Sequence, residues 1–461
     1  MKFGLEKCGR LIIKRGKVEV TQGLLLDIGK IRDVEVERGY KYLGILQGME
    51  NLQKQVKANT IKTYTKRIRQ VMKTKLSGQN KIQAINTYAM PVVSYTAGII
   101  EWTQTEMKDL DRKTRKLLNM YGGLHPRADV HRLYLPRHHG GRGLKEVEVS
   151  VTAESVGLDE YIQRMKDKEP LLQAAWQTKQ QQQPEVVKKD EWKAGWARRY
   201  KSKWREKPLH GQYPQQVEEV TTTEMAYKWL SCTGLKIETE ALITAAQDQA
   251  LNTKSHQANI MKVTTDSKCR MCTETDETVN HLVAGCQKLA ATEYLERHNK
   301  VAAALHLEIC RHYGIPTAEQ HPWLHRPETV NETDRVKILW DFEVRTDKVI
   351  TARRPDIIVV DKQEKTAKII DVAIPLDKNI RGKEAEKTQK YQDLKLEIQK
   401  LWDVKAEVIP IVIGALGAVS TSLEGHLQRA PGEHDMRKLM KQAILGSAHI
   451  LRRVLDLPGS G

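Results

Sequence analysis

Asp356 and Asp371 stand at the outer ends of two apolar runs, Ile-Ile-Val-Val and Ala-Lys-Ile-Ile, joined by the polar turn Asp361-Lys-Gln-Glu-Lys-Thr366. If that turn is centred between Gln363 and Glu364, antiparallel pairing sets Asp356 directly opposite Asp371, with both side chains on one face. Two carboxylates so placed repel each other, and a divalent cation between them removes the conflict. Mg2+ takes one or two carboxylates and completes its shell with water and phosphate oxygens, which are the needs of phosphodiester hydrolysis. On the following helix Lys387 and Tyr391 are four residues apart and share a face. The lysine is placed to orient an attacking water or to stabilise charge on phosphorus, and the tyrosine to position that water or touch a phosphate. Taken singly, an Asp after a Pro is commonly just a turn residue, and Asp371 alone is an ordinary edge-strand charge. The pairing arithmetic together with the helix lysine is what favours chemistry.

A second group is Cys269-x2-Cys272-x8-His281-x4-Cys286, three thiolates and an imidazole within a short stretch. The spacing suits tetrahedral Zn2+: a two-residue gap lets one tight turn present two sulfurs, and a helical turn presents the other pair. Four protein ligands leave no open position, so this metal is expected to be structural, its binding energy spent on folding. A Cys3His knuckle commonly serves nucleic-acid binding, and equally it can brace its neighbours.

The elements that must hold these groups follow from hydrophobic period. From Val336 onward the pattern is β at Ile338 to Val344, Ile357 to Val360, Lys368 to Ile374 and Val408 to Ile413. Helices are expected over Lys383 to Leu401 and Met436 to Leu455, and the face of the first continues from Lys387 and Tyr391 into Leu394, Ile398 and Leu401. Upstream, Leu11 to Ile13 and Val18 to Val20 flank a hairpin turn, and Tyr40 to Leu46 is extended. Ile82 to Trp102 is an apolar helix kinked at Pro91. Thr103-Gln-Thr-Glu106 has capping-box form and starts a helix ending at Gly122-Gly123. A linker is expected around Gln180 to Pro184.

The chain has 461 residues, with 76 Lys plus Arg against 58 Asp plus Glu and a net charge of +18. That excess favours polyanions, nucleic acid first and an anionic membrane surface second. It is concentrated between Asn51 and Lys81, where nine cations meet no acid. Lys54, Lys57, Lys62, Lys66, Arg67, Arg69, Lys73 and Lys75 are therefore candidate phosphate contacts; a solvated helix face is the plainer alternative. Trp192, Trp196, Tyr200 and Trp204 recur every fourth residue among cations that include Arg198 and Arg199. Such a stripe either docks on a neighbouring element or lies along nucleic acid with indoles free to stack on bases. The run Arg137-His-His-Gly-Gly-Arg142-Gly143 offers a phosphate nest. Six scattered or clustered cysteines do not form a disulfide framework, no signal segment or bilayer-length apolar run is present, and an intracellular, nuclear location is expected. P-loop, nucleophile-elbow and His-Glu-x-x-His motifs do not occur.

Pro355-Asp356, Asp371 and the Lys387-x3-Tyr391 pair, preceded by the Cys3His knuckle, resemble the end of non-LTR retrotransposon proteins that carry a restriction-like endonuclease. That nuclease is a PD-(D/E)xK variant whose lysine has moved to the helix, and here Ala373 fills the usual strand position. Met1 to Cys8 resembles the reverse transcriptase palm just after its catalytic Asp-Asp, with Lys7 similar to a palm lysine, and Tyr42-Leu-Gly-Ile45 resembles the primer-grip hairpin. The resemblance implies a multidomain α+β chain: a palm remnant with primer-grip hairpin over 1–50 and a helical thumb over 51–165. A basic, Gln- and Trp-rich linker over 166–216 and a helical region with the zinc knuckle over 217–320 follow. The restriction-like α/β module is expected over 325–425 and a C-terminal helix over 426–461. It further implies nicking of target DNA with Mg2+, Zn2+ in the knuckle, DNA and element RNA as partners, and no small-molecule substrate or membrane. No Tyr/Phe-x-Asp-Asp occurs, so polymerase activity is expected to be absent. The alternative is a non-catalytic nucleic-acid-binding remnant.

Overall fold

In a computed structural model the chain is a mixed α/β protein, described over residues 4–5, 8–19, 21–34, 39–47, 52–180, 188–317 and 324–457. It divides into two compact units: 1–74, 83–117 and 145–196 form the first, and 75–82, 118–144 and 197–461 the second. Lys7 and the run from Gln181 to Pro184 lie outside the described residues. Among the described residues no helix is long and apolar enough to cross a membrane.

The first unit starts with small sheets. Ile12–Lys14 pairs with Lys17–Glu19, and Tyr40–Tyr42 with Ile45–Gln47; the turns use positive φ at Arg15, Gly16, Leu43 and Gly44, which suits two-residue hairpins. The basic run is a helix, Gln53–Met72, that buries Val56, Thr60, Tyr64 and Ile68. The Tyr64 hydroxyl shares a 2.9 Å hydrogen bond with Thr114. Pro91 lies just beyond a π-helical turn, Ile85–Ala89, which interrupts the expected helix from Ile82 and absorbs the missing proline N–H. The capping box forms as its sequence suggests: Thr103 N donates to Glu106 Oε2 at 2.9 Å, and Glu106 N to Thr103 Oγ1 at 3.2 Å.

In the second unit a five-stranded sheet has the order Lys405–Val412, Thr366–Ala373, Ile357–Asp361, Val336–Trp340, Val330–Glu332. All neighbours are antiparallel except the first pair, which is parallel and joined through the helices Ile380–Lys390 and Gln392–Trp402. The Val330–Glu332 edge strand is an addition to the expected set. Ile358, Val360, Ala367, Ile369 and Val408 form one packed face with Tyr391, Leu394 and Ile398. The helix expected from Lys383 to Leu401 breaks at Tyr391 (φ −103°, ψ 15°), and Leu401 is exposed instead of closing the apolar stripe.

Two expectations about domain boundaries change. Met436–Leu455 forms as expected, but it is a central element, packed against Leu295–His312, Val279–Ala284 and Ile237–Gln247. Its Leu439, Met440, Ile444 and Leu451 are buried, so the knuckle region, the sheet and this helix share one unit. The stretch 166–216 is largely helical, with Pro170–Gln180, Lys189–Arg205 and Gln212–Glu218, because Trp176, Tyr200, Trp204 and Tyr213 bury and anchor it.

Candidate active site

The hairpin register is the one its turn implies. Ile357 pairs with Ile370 and Asp361 with Thr366, so continuing the ladder outward sets Asp356 opposite Asp371. The side chain of Asp371 is 3% exposed and that of Asp356 20%. Tyr391 donates its hydroxyl to Asp371 Oδ1 at 2.6 Å and accepts from Lys390 Nζ at 3.1 Å. Lys387 Nζ forms an ion pair with Asp371 Oδ2 at 2.6 Å. Burial above all, then repulsion from Asp356, pushes the Asp371 carboxyl above the usual range, against the pull of Lys387 and Tyr391.

Tyr391 is 1% exposed, so the expected contact with a phosphate is corrected: its hydroxyl is used up inside the protein, orienting Asp371. The break in the helix at this residue turns the ring down onto the sheet. Tyr391→Phe is expected to destabilise the second unit by about 2 kcal/mol, since a buried carboxylate loses a charge-assisted bond. Urea unfolding of the two proteins at pH 7 measures this, and equal stability would show that the bond contributes nothing.

Sequence reasoning missed one member. His298, on the helix Leu295–His312, places Nε2 at 3.1 Å from Asp356 Oδ2 and 3.2 Å from the Val372 carbonyl oxygen. Burial opposes its charge, but the hydrogen bond and attraction to Asp356 outweigh that and raise it to about 9. The backbone N–H of Val372 donates to the same Asp356 oxygen at 2.6 Å.

The Cys3His cluster assembles as its spacing suggests. The ligand atoms of Cys269, Cys272, His281 and Cys286 all lie within 4.8 Å of one another, a donor set suited to a metal ion such as zinc. Cys269 and Cys272 come from a turn closed by Cys269 N to Thr275 O at 2.8 Å and Thr273 N to Cys269 O at 2.8 Å. His281 rides on Val279–Ala284, capped by Thr278. Backbone N–H groups of Thr275 and Glu274 bring the Cys272 thiol down to about 6, favouring the thiolate a metal needs. The Tyr294 hydroxyl accepts from Cys286 N at 3.0 Å and faces the carbonyls of His281 and Leu282 at 3.0 and 2.9 Å.

The basic residues divide by burial. Lys54, Lys62, Lys66, Arg69 and Lys73 are exposed on the face of Gln53–Met72 away from Tyr64 and Ile68, and Lys75 is exposed beyond it. Arg67 stacks 4.4 Å over the ring of Tyr88 and donates to its carbonyl, while Lys57 is paired with Glu106 at 2.8 Å. A cavity of about 620 Å³ beside this helix is lined by Lys41, Asn59, Lys62, Thr63, Arg67 and Tyr95.

Arg137 and Arg142 are corrected. Arg137 forks both Glu240 oxygens at 3.0 Å, and Arg142, 2% exposed, lies 3.1 Å from Glu240 Oε2, so neither is presented to a phosphate. Of the two readings of the aromatic stripe, its C-terminal half follows docking on a neighbouring element. Tyr200 and Trp204 are buried, with Trp204 under the Arg132 guanidinium at 4.8 Å, and Trp192 and Trp196 stack on each other at 5.7 Å. Arg198 and Arg199 remain exposed on that helix.

No family model matches the chain, and no curated protein matches it by sequence.

Proposed function

We propose that this chain is a Mg2+-dependent endonuclease that nicks DNA, with a basic surface for nucleic acid and a zinc-braced scaffold, of the non-LTR retrotransposon type its motifs resemble. The observation that carries the proposal is the convergence of Asp356, Asp371 and Lys387 at one end of the hairpin. Two carboxylates on one face of the hairpin mouth, one of them buried and paired with a lysine at 2.6 Å, suit a site that completes itself with a cation. Asp356 and Asp371 would hold Mg2+, which when bound supplies Lewis acidity and a more acidic water. Tyr391 fixes Asp371, Lys387 beside that carboxylate would stabilise charge developing on a bound phosphate, and His298 and Val372 hold Asp356. The copying step of such elements is not assigned to this chain, whose sequence contains no Asp-Asp pair.

The test is relaxation of supercoiled plasmid by zinc-loaded protein with Mg2+ or with EDTA. Nicking with Mg2+ alone is expected; tight binding without nicks would leave only the nucleic-acid-binding reading.

The exposed cations carry that second role. Replacing Lys54, Lys62, Lys66, Arg69 and Lys73 with Gln is expected to reduce the slope of log affinity against log salt by ~0.9 for each duplex phosphate that is no longer neutralised. Arg142→Gln is expected to lower stability and leave that slope unchanged, because its partner is Glu240. Fluorescence anisotropy between 50 and 200 mM salt, on the order of the usual range, reads both. An unchanged slope in the fivefold variant would remove this helix from the binding surface.

A further inference from the structure

The hairpin's backbone ladder begins at the Ile357–Ile370 pair, so Asp356 and Val372 flank the position where regular pairing ends. Beyond that pair Val372 stays in the ladder with Ile411, and the Asp356 carbonyl accepts from Asp341 N at 2.8 Å, so what remains to be fixed is the Asp356 side chain. Tyr391 and Lys387 both serve Asp371. The groups that close the mouth on the Asp356 side are the Val372 N–H and His298.

The imidazole's role follows from donor and acceptor types. Nε2 of His298 faces a carboxylate oxygen at 3.1 Å and a backbone carbonyl at 3.2 Å, and both can only accept. Nε2 therefore carries a proton and donates. Nε2 has no lone pair to give to a cation or to a water, and Nδ1 lies 3.1 Å from another acceptor, Asn299 Oδ1, so neither nitrogen is placed as a metal ligand or a general base. Both hydrogen bonds to Asp356 fall on the same oxygen, Oδ2.

We propose that His298 is a positioning residue of the cutting site, holding Oδ2 of Asp356 against Val372 so that Oδ1 is left for the cation shared with Asp371. This rests on the nuclease reading above. It also gives the zinc knuckle a mechanical link to the site. Tyr294, which clamps Cys286 and His281, lies one helical turn before His298 on a continuous helical run, Ala290–His312. Partners that orient a metal-binding carboxylate are commonly worth ~10- to 100-fold in metal affinity or activity.

The experiment uses the full zinc-loaded chain as wild type, His298→Ala, His298→Gln and Asp371→Asn. Single-turnover plasmid nicking is measured against Mg2+ concentration, and binding of Mn2+ alone by electron paramagnetic resonance. His298→Ala is expected to lower the nicking rate and to weaken Mn2+ binding, each by ~10- to 100-fold, with a higher half-saturating Mg2+. His298→Gln, which returns an N–H donor without the imidazolium charge, is expected to recover part of both. If His298→Ala keeps the wild-type metal requirement, the inference is overturned. It is equally overturned if Ala and Gln lose rate together, in step with melting temperature. If the wild type binds Mn2+ in an Asp371-dependent way but never nicks, the nuclease reading fails, and the Mn2+ affinity of His298→Ala alone decides the positioning role. Absence of both nicking and Asp371-dependent Mn2+ binding refutes both.

Discussion

Asp371→Asn is expected to lower Mg2+-dependent nicking by ~10³-fold or more while leaving affinity for duplex DNA nearly unchanged. Asparagine matches the shape of the carboxylate and keeps an oxygen for the Tyr391 hydroxyl, but it cannot supply the negative charge that a divalent cation requires. The buried site itself should tolerate the change. Burial and Asp356 push the Asp371 carboxyl above the usual range, so ionising it costs the folded state stability. For a carboxyl raised in this way, stability rises as pH falls through the folded value and is lower above it. Removing the charge is therefore expected to leave the melting temperature at pH 7 unchanged or higher. Comparison of single-turnover rates and thermal melts separates the two effects. A variant that nicks at a tenth of the wild-type rate or faster would show that Asp371 is not a ligand of the reacting metal.

Stripping zinc should have the largest effect on the fold. The knuckle is built into the second unit: Val279–Ala284 packs on Met436–Leu455, and Arg270 joins Glu277 to the Val454 carbonyl. Zinc binding in finger peptides is worth ~10–16 kcal/mol, comparable to the whole stability of a typical domain at ~5–15 kcal/mol. Cys272→Ser, or chelation of the wild type, is expected to lower the melting temperature of this unit by more than ~10 °C, given ~2–4 °C for each kcal/mol lost in a unit of this size. Nicking should disappear with it, through the helical run that carries Tyr294 and His298. Zinc content measured alongside calorimetry tests this. A zinc-free chain that melts as the loaded one does would mean the four ligands meet without needing the ion.

What the sequence made legible was local. The Asp356–Asp371 register follows from counting outward from one turn, and the ladder has the register that count requires. The Thr103–Glu106 capping box and the Cys3His cluster are likewise set within a few residues of chain. What stayed hidden depends on distant partners. His298 is 58 residues from Asp356 in sequence, and nothing in its own helix marks it as different from a surface histidine. Arg137 and Arg142 have the composition of a phosphate nest, and only Glu240, about a hundred residues away, shows that their charge is already matched. The tryptophan stripe had two outcomes with the same pattern; burial of Trp204 against Arg132 decided between them. The helix break at Tyr391 could not be read because no Gly or Pro marks it. It comes from a tyrosine drawn inward to a buried carboxylate.

The most direct test is anomalous scattering from crystals soaked in Mn2+, with the zinc signal at Cys269, Cys272, His281 and Cys286 as internal control. A manganese peak about 2.1 Å from one oxygen of Asp356 and one of Asp371, with Lys387 alongside, is the expected result. A clear zinc peak with nothing between the two aspartates at saturating Mn2+ would contradict the claim that this hairpin mouth is a metal-dependent cutting site.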